Sequence, residues 1–160
     1  YLEGLLDEFQ LNAENFELEL TEHTLVKDID KAIATMDALR LIGFSFAIDD
    51  FGTGYSSLAY LKRMPVDVIK IDKSFVVGML ENHADFQIIM STIAMVKSLG
   101  LTVIAEGVET KAQLRTLTEN DCDLIQGYYF SKPIPEVGLI DFINREIIDG
   151  NWRVKVNSDG

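Results

Sequence analysis

Five short apolar segments, each closed by charged or polar residues, constrain the fold more than any other feature of this chain: Phe16 to Leu20, Phe44 to Ile48, Val66 to Ile71, Thr102 to Ala105 and Leu124 to Ile125. Runs of near-continuous Phe, Ile, Val and Leu at this length suit parallel strands whose outer face is covered by helices. The intervening stretches Asp28 to Leu41, Ala84 to Leu99 and Thr110 to Glu119 space their apolar residues by three and four, and Glu136 to Ile148 follows the last strand; all four predict helices. Leu39-Arg40-Leu41-Ile42-Gly43 and Ser98-Leu99-Gly100 end two of them on glycine just before a strand, the usual C-cap chemistry.

Repeated βα units build either an open doubly wound sheet or a closed barrel, and periodicity alone does not separate the two. Polar residues do. In barrels the active site gathers at the C-terminal ends of successive strands. Glu19 and Glu22 end the first strand here, Asp49 and Asp50 the second, Lys70 and Asp72 the third, Glu106 and Glu109 the fourth, and Gln126 the fifth. One shared rim is expected. The fold class read from this pattern is α/β, a partial (β/α)8 TIM-like barrel with about five βα units and the N-terminal strands missing. Residues 1–150 are expected to be the C-terminal portion of a single barrel domain, and 151–160 a polar tail that frays.

Composition narrows the function. A chain of 160 residues with 48% hydrophobic content suits one globular unit with a sizeable core. A net charge of −12 argues against a nucleic-acid polymer as partner, because such binding rests on clustered Lys and Arg. An acidic protein still binds a small phosphodiester when divalent cations stand between its carboxylates and the phosphate. No apolar run approaches the roughly 20 residues needed to cross a bilayer, so no membrane contact by this segment is expected. No signal-peptide pattern is visible either, which favours a cytoplasmic location even if the whole protein is membrane-anchored. Cys122, a lone cysteine, reads as a core thiol. His23 and His83 stand without ligand spacing and are assigned to no metal.

The strand ends carry the candidate chemistry. Asp49 and Asp50 close an apolar strand, one able to face the barrel axis while the other follows the loop. Such a pair can bridge two divalent ions about 3.5 to 4 Å apart, suited to in-line phosphoryl displacement, and a solvated Asp-Asp turn is the alternative. Alternation places Glu19 opposite Leu18 and Leu20 and therefore inward, where a carboxylate must be paired or metal-bound. Glu22 reads equally as a helix-start acid. Lys70 and Asp72 share one face of a strand whose other face is apolar. Lys70 there either pairs with carboxylates or also meets a phosphate oxygen. Glu106 is a candidate to orient a water and take its proton, with a helix-start acid as the alternative. Gln126 puts a neutral hydrogen-bonding group beside Tyr128, Tyr129 and Phe130. The Gly-rich loop Asp50 to Ser57 lacks the Lys and spacing of a P-loop and reads as a lid, with Ser56 or Ser57 capping a short helix from Leu58 to Arg63.

Taken in order, Glu19-Leu20-Thr21-Glu22, Asp49-Asp50-Phe51-Gly52-Thr53-Gly54-Tyr55-Ser56-Ser57, Lys70-Ile71-Asp72, Glu106-Gly107-Val108-Glu109 and Gln126-Gly127-Tyr128-Tyr129-Phe130-Ser131-Lys132-Pro133 closely resemble the EAL domain family. The resemblance implies a modified (β/α)8 barrel with two Mg2+ or Mn2+ ions that hydrolyses cyclic di-GMP to linear pGpG in bacterial signalling. It implies Glu19, Asp49 and Asp50 as metal ligands and Lys70, Glu106 and Gln126 as catalytic residues. Glu22 would anchor the lid loop, a link in the family between metal binding and dimerisation, so a homodimer is expected. Glu109 and Asp72 would be accessory, and Pro133 a substrate contact. The family's Glu-Ala-Leu signature and its ligand asparagine are absent from this sequence and would belong before Tyr1, where a GGDEF or sensory domain is also expected. A catalytically competent whole protein, with this segment inactive alone, is the first expectation; a non-catalytic cyclic di-GMP receptor or interaction module of the same fold is the alternative.

Overall fold

The computed structural model describes residues 1–21, 28–54 and 58–148. Along these residues run α1 (Leu2–Phe9), a 3₁₀ turn (Ala13–Asn15), β1 (Glu17–Thr21), α2 (Ile29–Ile42), β2 (Ser45–Phe51), α3 (Leu58–Leu61), β3 (Val68–Ile71), α4 (Lys73–Gly78), α5 (His83–Ser98), β4 (Thr102–Ala105), α6 (Lys111–Glu119), β5 (Leu124–Ile125) and α7 (Glu136–Ile148). The chain divides into two compact units, Tyr1–Phe130 and Ser131–Gly160. In the second, Gly138 and Leu139 donate backbone N–H bonds to Pro135 O at the start of α7. No helix among the described residues is long and apolar enough to cross a membrane.

The first unit is built on a five-stranded sheet in the order β1-β2-β3-β4-β5, every neighbouring pair parallel. Strand order equal to chain order decides the architecture. Right-handed crossovers that always step in one direction place their helices on one face, whereas a doubly wound sheet must reverse its order. This is the winding of a barrel wall, and the fold is the α/β, TIM-like one expected from the sequence.

The register divides the strands into two faces. Leu20, Ile48, Ile69 and Val103 lie side by side, as do Ile71, Ala105 and Ile125. These form the core with Met36 of α2, Ile89, Ile93 and Val96 of α5 and Leu117 of α6. Burial of each large aliphatic side chain contributes about 1.5 to 3 kcal/mol. The opposite face carries Glu19 beside Ala47, Val68 and Thr102, then Thr21 beside Asp49 and Lys70 beside Ile104. Between Ile48 and Phe51 the register shifts, and Asp50 takes a left-handed backbone with φ 54°.

Helix ends follow the expected chemistry. Gly43 closes α2 at φ 115° and Gly100 follows α5 at φ 73°, both left-handed. Asp28 caps α2 through Lys31 N, and Asn82 caps α5 through Ala84 N at 2.9 Å. Two helices escape the sequence pattern. α1 has no buried residue to impose a period, and α4 is only six residues long, hidden in the apolar run from Phe75 to Leu80.

A repeated device holds the N-terminal edge of the sheet. Asp67 Oδ2 accepts from Phe46 N at 3.0 Å while Oδ1 accepts from Arg40 Nη1 at 3.0 Å. Asp123 does the same two strands on, accepting from Val103 N at 3.0 Å and from Lys97 Nζ at 2.7 Å. In each case a cation from the end of a helix and a backbone N–H from the following strand share one aspartate at the mouth of the next strand.

Candidate active site at the strand ends

At the C-terminal edge three strand ends converge on one ammonium group. Lys70 Nζ lies 2.6 Å from Glu19 Oε1, 2.8 Å from Glu106 Oε1 and 3.4 Å from Asp49 Oδ1. The topology explains the meeting: Lys70 projects from the central strand, Glu19 and Asp49 come from the two strands before it, and Glu106 follows β4 on the other side. Side-chain exposure grades outward, 6% for Lys70, 18% for Glu106, 23% for Asp49 and 48% for Glu19. Of the two sequence readings of Lys70, pairing with carboxylates is therefore present. Glu19 faces inward as alternation requires, but its half exposure weakens the desolvation argument for a ligand role. Pairing with Lys70 already offsets what desolvation it suffers.

The charges do not balance. Burial alone lowers a lysine pKa, yet hydrogen bonds to Glu106 and Glu19 and the charges of Glu106 and Asp49 outweigh it, holding the ammonium above the ordinary lysine range. One cation serves three carboxylates. Desolvation, then the charges of Asp49 and Asp72, push the Asp50 carboxyl above its usual range, and it shares a hydrogen bond with Asp72. Glu17, on the same face as Glu19, is likewise raised, first by desolvation and then by Glu19. For Asp72 desolvation is outweighed by hydrogen bonds from the Ser74 hydroxyl and backbone N–H, which keep its carboxylate below the usual range. Asp72 is thus the N-cap of α4 as well as the partner of Asp50.

The left-handed backbone at Asp50 turns the chain out of β2, and the Asp50 N–H donates to Asp49 Oδ1 at 3.0 Å. Thr53 closes the turn with its hydroxyl on Asp50 O at 2.8 Å. Glu106 is held by its N–H on Ile71 O at 3.2 Å. Gln126 is exposed on the rim, its backbone tied to Ala105 O at 2.9 Å and its own carbonyl accepting from Val108 N at 3.1 Å. Gly127 is required beside it, because a Cβ there would stand 2.1 Å from Val108 O. Tyr129 and Phe130 pack edge to face with centroids 5.3 Å apart.

The remaining sequence candidates are placed as follows. Glu109 is exposed one residue before the Thr110 cap of α6, with its backbone N–H on Gln113 Oε1, and its side chain makes no ion pair with Lys70. Glu22, His23 and Tyr55 to Ser57 lie outside the described residues. Pro133 belongs to the second unit. Cys122 packs against the core, and burial pushes its thiol up to about 11. Nothing in the residue pattern points to Gln113, a buried side chain whose polar atoms are all engaged.

Glu19, Asp49, Asp50 and Glu106 offer only hard oxygen donors, the set that suits Mg2+ or Mn2+, and the rim holds more negative charge than Lys70 neutralises. The donor chemistry fits a divalent ion. Among the described residues, however, no three His, Cys, Asp or Glu side chains are gathered closely enough to hold one unaided. Lys70 Nζ stands where Glu19, Asp49 and Glu106 converge.

Comparison with known proteins agrees with this geometry. The EAL domain family model matches residues 1–133. The cyclic di-GMP phosphodiesterase NbdA of Pseudomonas aeruginosa is 49% identical over 138 residues, which cover 86% of this chain and 18% of NbdA. The chain thus spans under a fifth of that relative. The P. aeruginosa MucR phosphodiesterase, solved as a c-di-GMP complex, superposes with a TM-score of 0.83 at 38% identity over 86% of this chain and 56% of that one. Klebsiella pneumoniae BlrP1, solved as a manganese/cy-diGMP complex, gives a TM-score of 0.75 at 35% identity over 82% of this chain and 34% of that one. By its ordered motifs, its barrel-wall topology and these matches, the chain belongs to the EAL domain family.

Proposed function

We propose that the protein hydrolyses cyclic di-GMP to linear pGpG at the Lys70 rim. The observation that carries this reading is the buried ammonium of Lys70 meeting carboxylates from β1, β2 and the end of β4. Mg2+ or Mn2+ held by Glu19, Asp49 and Asp50, with donors beyond the described residues, would supply positive charge to the phosphodiester and lower the pKa of water. Lys70, which keeps its proton, donates to a phosphate oxygen and stabilises charge as the ester bond opens. Glu106 accepts the proton of the attacking water, whose oxygen joins phosphorus as the P–O3′ bond breaks and the freed 3′ oxygen takes a proton from solvent. Gln126 orients the water or the ester from the rim. Glu22, Glu109, Asp72 and Pro133 are accessory to this site in our reading: lid anchoring for Glu22, support for Glu109 and Asp72, and a substrate contact for Pro133.

In the same reading the protein works as a homodimer inside the cell, with a GGDEF or sensory domain in the same chain. The name of one relative, the bifunctional diguanylate cyclase/cyclic di-GMP phosphodiesterase MucR of P. aeruginosa, supports such multidomain parentage. A receptor that binds cyclic di-GMP without turnover is the second reading, favoured by Lys70 Nζ filling the centre of the carboxylates. The deciding experiment follows pGpG release by the full-length protein under Mg2+, Mn2+ and EDTA, beside Asp49→Asn. Metal-dependent release abolished by the substitution is the expected result. Undiminished turnover by Asp49→Asn would sink the assignment, and binding without release would select the receptor.

A further inference from the structure

We infer that Gln113 is a positioning residue for Glu106, a role that rests on the hydrolase reading above. Gln113 is 6% exposed on α6, behind the rim. Its Oε1 accepts from the backbone N–H groups of Glu109 and Thr110, both at 2.9 Å. Its Nε2 donates to Val76 O of α4 at 3.1 Å, across 37 residues of sequence. The first helical turn needs only part of this. A capping box is satisfied by the Thr110 hydroxyl on Gln113 N and by Gln113 on Thr110 N. The bonds to Glu109 N and Val76 O reach beyond the helix and bind the 106–110 loop to α4.

That loop has little freedom elsewhere. Gly107 is left-handed at φ 72°, and a Cβ on it would stand 2.5 Å from the Lys73 Cβ at the start of α4. Val108, fully buried, donates to Gln126 O and accepts from Tyr129 N at 2.9 Å. The loop therefore carries Glu106 at one end, clamps Gln126 in its middle and is fastened by Gln113 at the other end. The residue type matters. Glutamate at this helix position would accept the same two N–H bonds but has no proton for Val76 O, so it would turn a carboxylate toward a carbonyl in a buried place.

The test compares Gln113→Glu and Gln113→Asn with Thr110→Ala, a change that weakens the cap alone, in the full-length protein at a temperature where all remain folded by their melting curves. Both Gln113 variants are expected to lower kcat for cyclic di-GMP at least tenfold with KM changed less than threefold. They should also speed amide exchange at residues 106–110 while leaving β1 to β3 protected. Thr110→Ala should keep kcat within twofold at a similar loss of melting temperature. Unchanged kcat in a folded Gln113 variant, or equal kcat losses in all three, would overturn the proposal. If the wild-type protein releases no pGpG, the hydrolase reading fails by itself. Gln113 is then judged on exchange alone, where unaltered protection at residues 106–110 refutes it and selective loss there upholds the positioning. A Gln113 variant that does not fold is replaced by Gln113→Met, which removes both ends of the same tie and is read by the same two measurements.

Discussion

The two edges of one sheet use aspartate in opposite ways. At the N-terminal edge each of Asp67 and Asp123 has a cation on one carboxylate oxygen and a backbone N–H on the other, so both oxygens are answered. At the C-terminal edge Glu19, Asp49 and Glu106 share one lysine, while Asp50 leans on Asp72 with its carboxyl pushed up by desolvation and then by like charge. Balanced carboxylates fasten strands; unbalanced ones keep an appetite for positive charge. Surplus charge and a left-handed backbone gathered at one edge are the marks of a place kept for chemistry at some cost to stability.

The largest effect should come from removing the shared cation. Lys70→Met leaves three carboxylates facing one another. In the full-length protein turnover should fall about 100- to 1000-fold, the scale of losing a donor to developing charge. Stability at pH 7 should fall by about 3 kcal/mol, as for one broken partner of a buried pair. The pH dependence carries the sign. In the wild type, Lys70 contributes stability that is fully present below the ordinary lysine pKa and is lost only as pH rises beyond it. Denaturant unfolding of both proteins at several pH values reads this; a variant as stable as wild type at pH 7 would erase the contrast between the edges.

Breaking the other edge should do the reverse. Asp67→Ala or Asp123→Ala leaves Phe46 N or Val103 N short of a partner and should cost about 1 to 3 kcal/mol each, with kcat within twofold of wild type at a temperature where the variant is folded. A large kcat loss there would mean that the two edges are not independent. The smallest expected effect sharpens the picture of the core behind them. The Cys122 thiol, raised by burial from 9.0 to about 11, should carry about 100-fold less thiolate at pH 8 than an unshifted thiol, and alkylate correspondingly slowly until the protein is unfolded.

Much of this was visible in the chain itself. Strand existence and order, the caps at Gly43 and Gly100, and the rim of Glu19, Asp49, Lys70, Glu106 and Gln126 follow from period-two alternation and local chemistry. What stayed hidden depends on distance in the chain. That Lys70 gathers three carboxylates from three other segments cannot be read along one strand. Asp67 and Asp123 look like ordinary loop acids until Phe46 and Val103 are beside them. Gln113 looks like any polar residue of a short helix until Val76, 37 residues earlier, receives its bond. Glu109, an accessory acid by its place in the motif, is tied into the fold through its backbone N–H on Gln113 Oε1, a bond no motif spells out.

The left-handed turn at Asp50 has a further consequence, best put as a matter of counting. A regular pleat sends Asp49 inward, Asp50 outward and Phe51 inward again. Here Phe51 pairs with Ile71 and is buried among the outer-face residues. One residue has been dropped from the count. The turn acts as a frame shift: it lifts an acid out of a position where it would meet the apolar layer and returns the next aromatic to that layer. Here the slip accommodates two consecutive carboxylates at one strand end, and in this Asp-Asp pair followed by an aromatic and a glycine the skipped letter is itself part of the message.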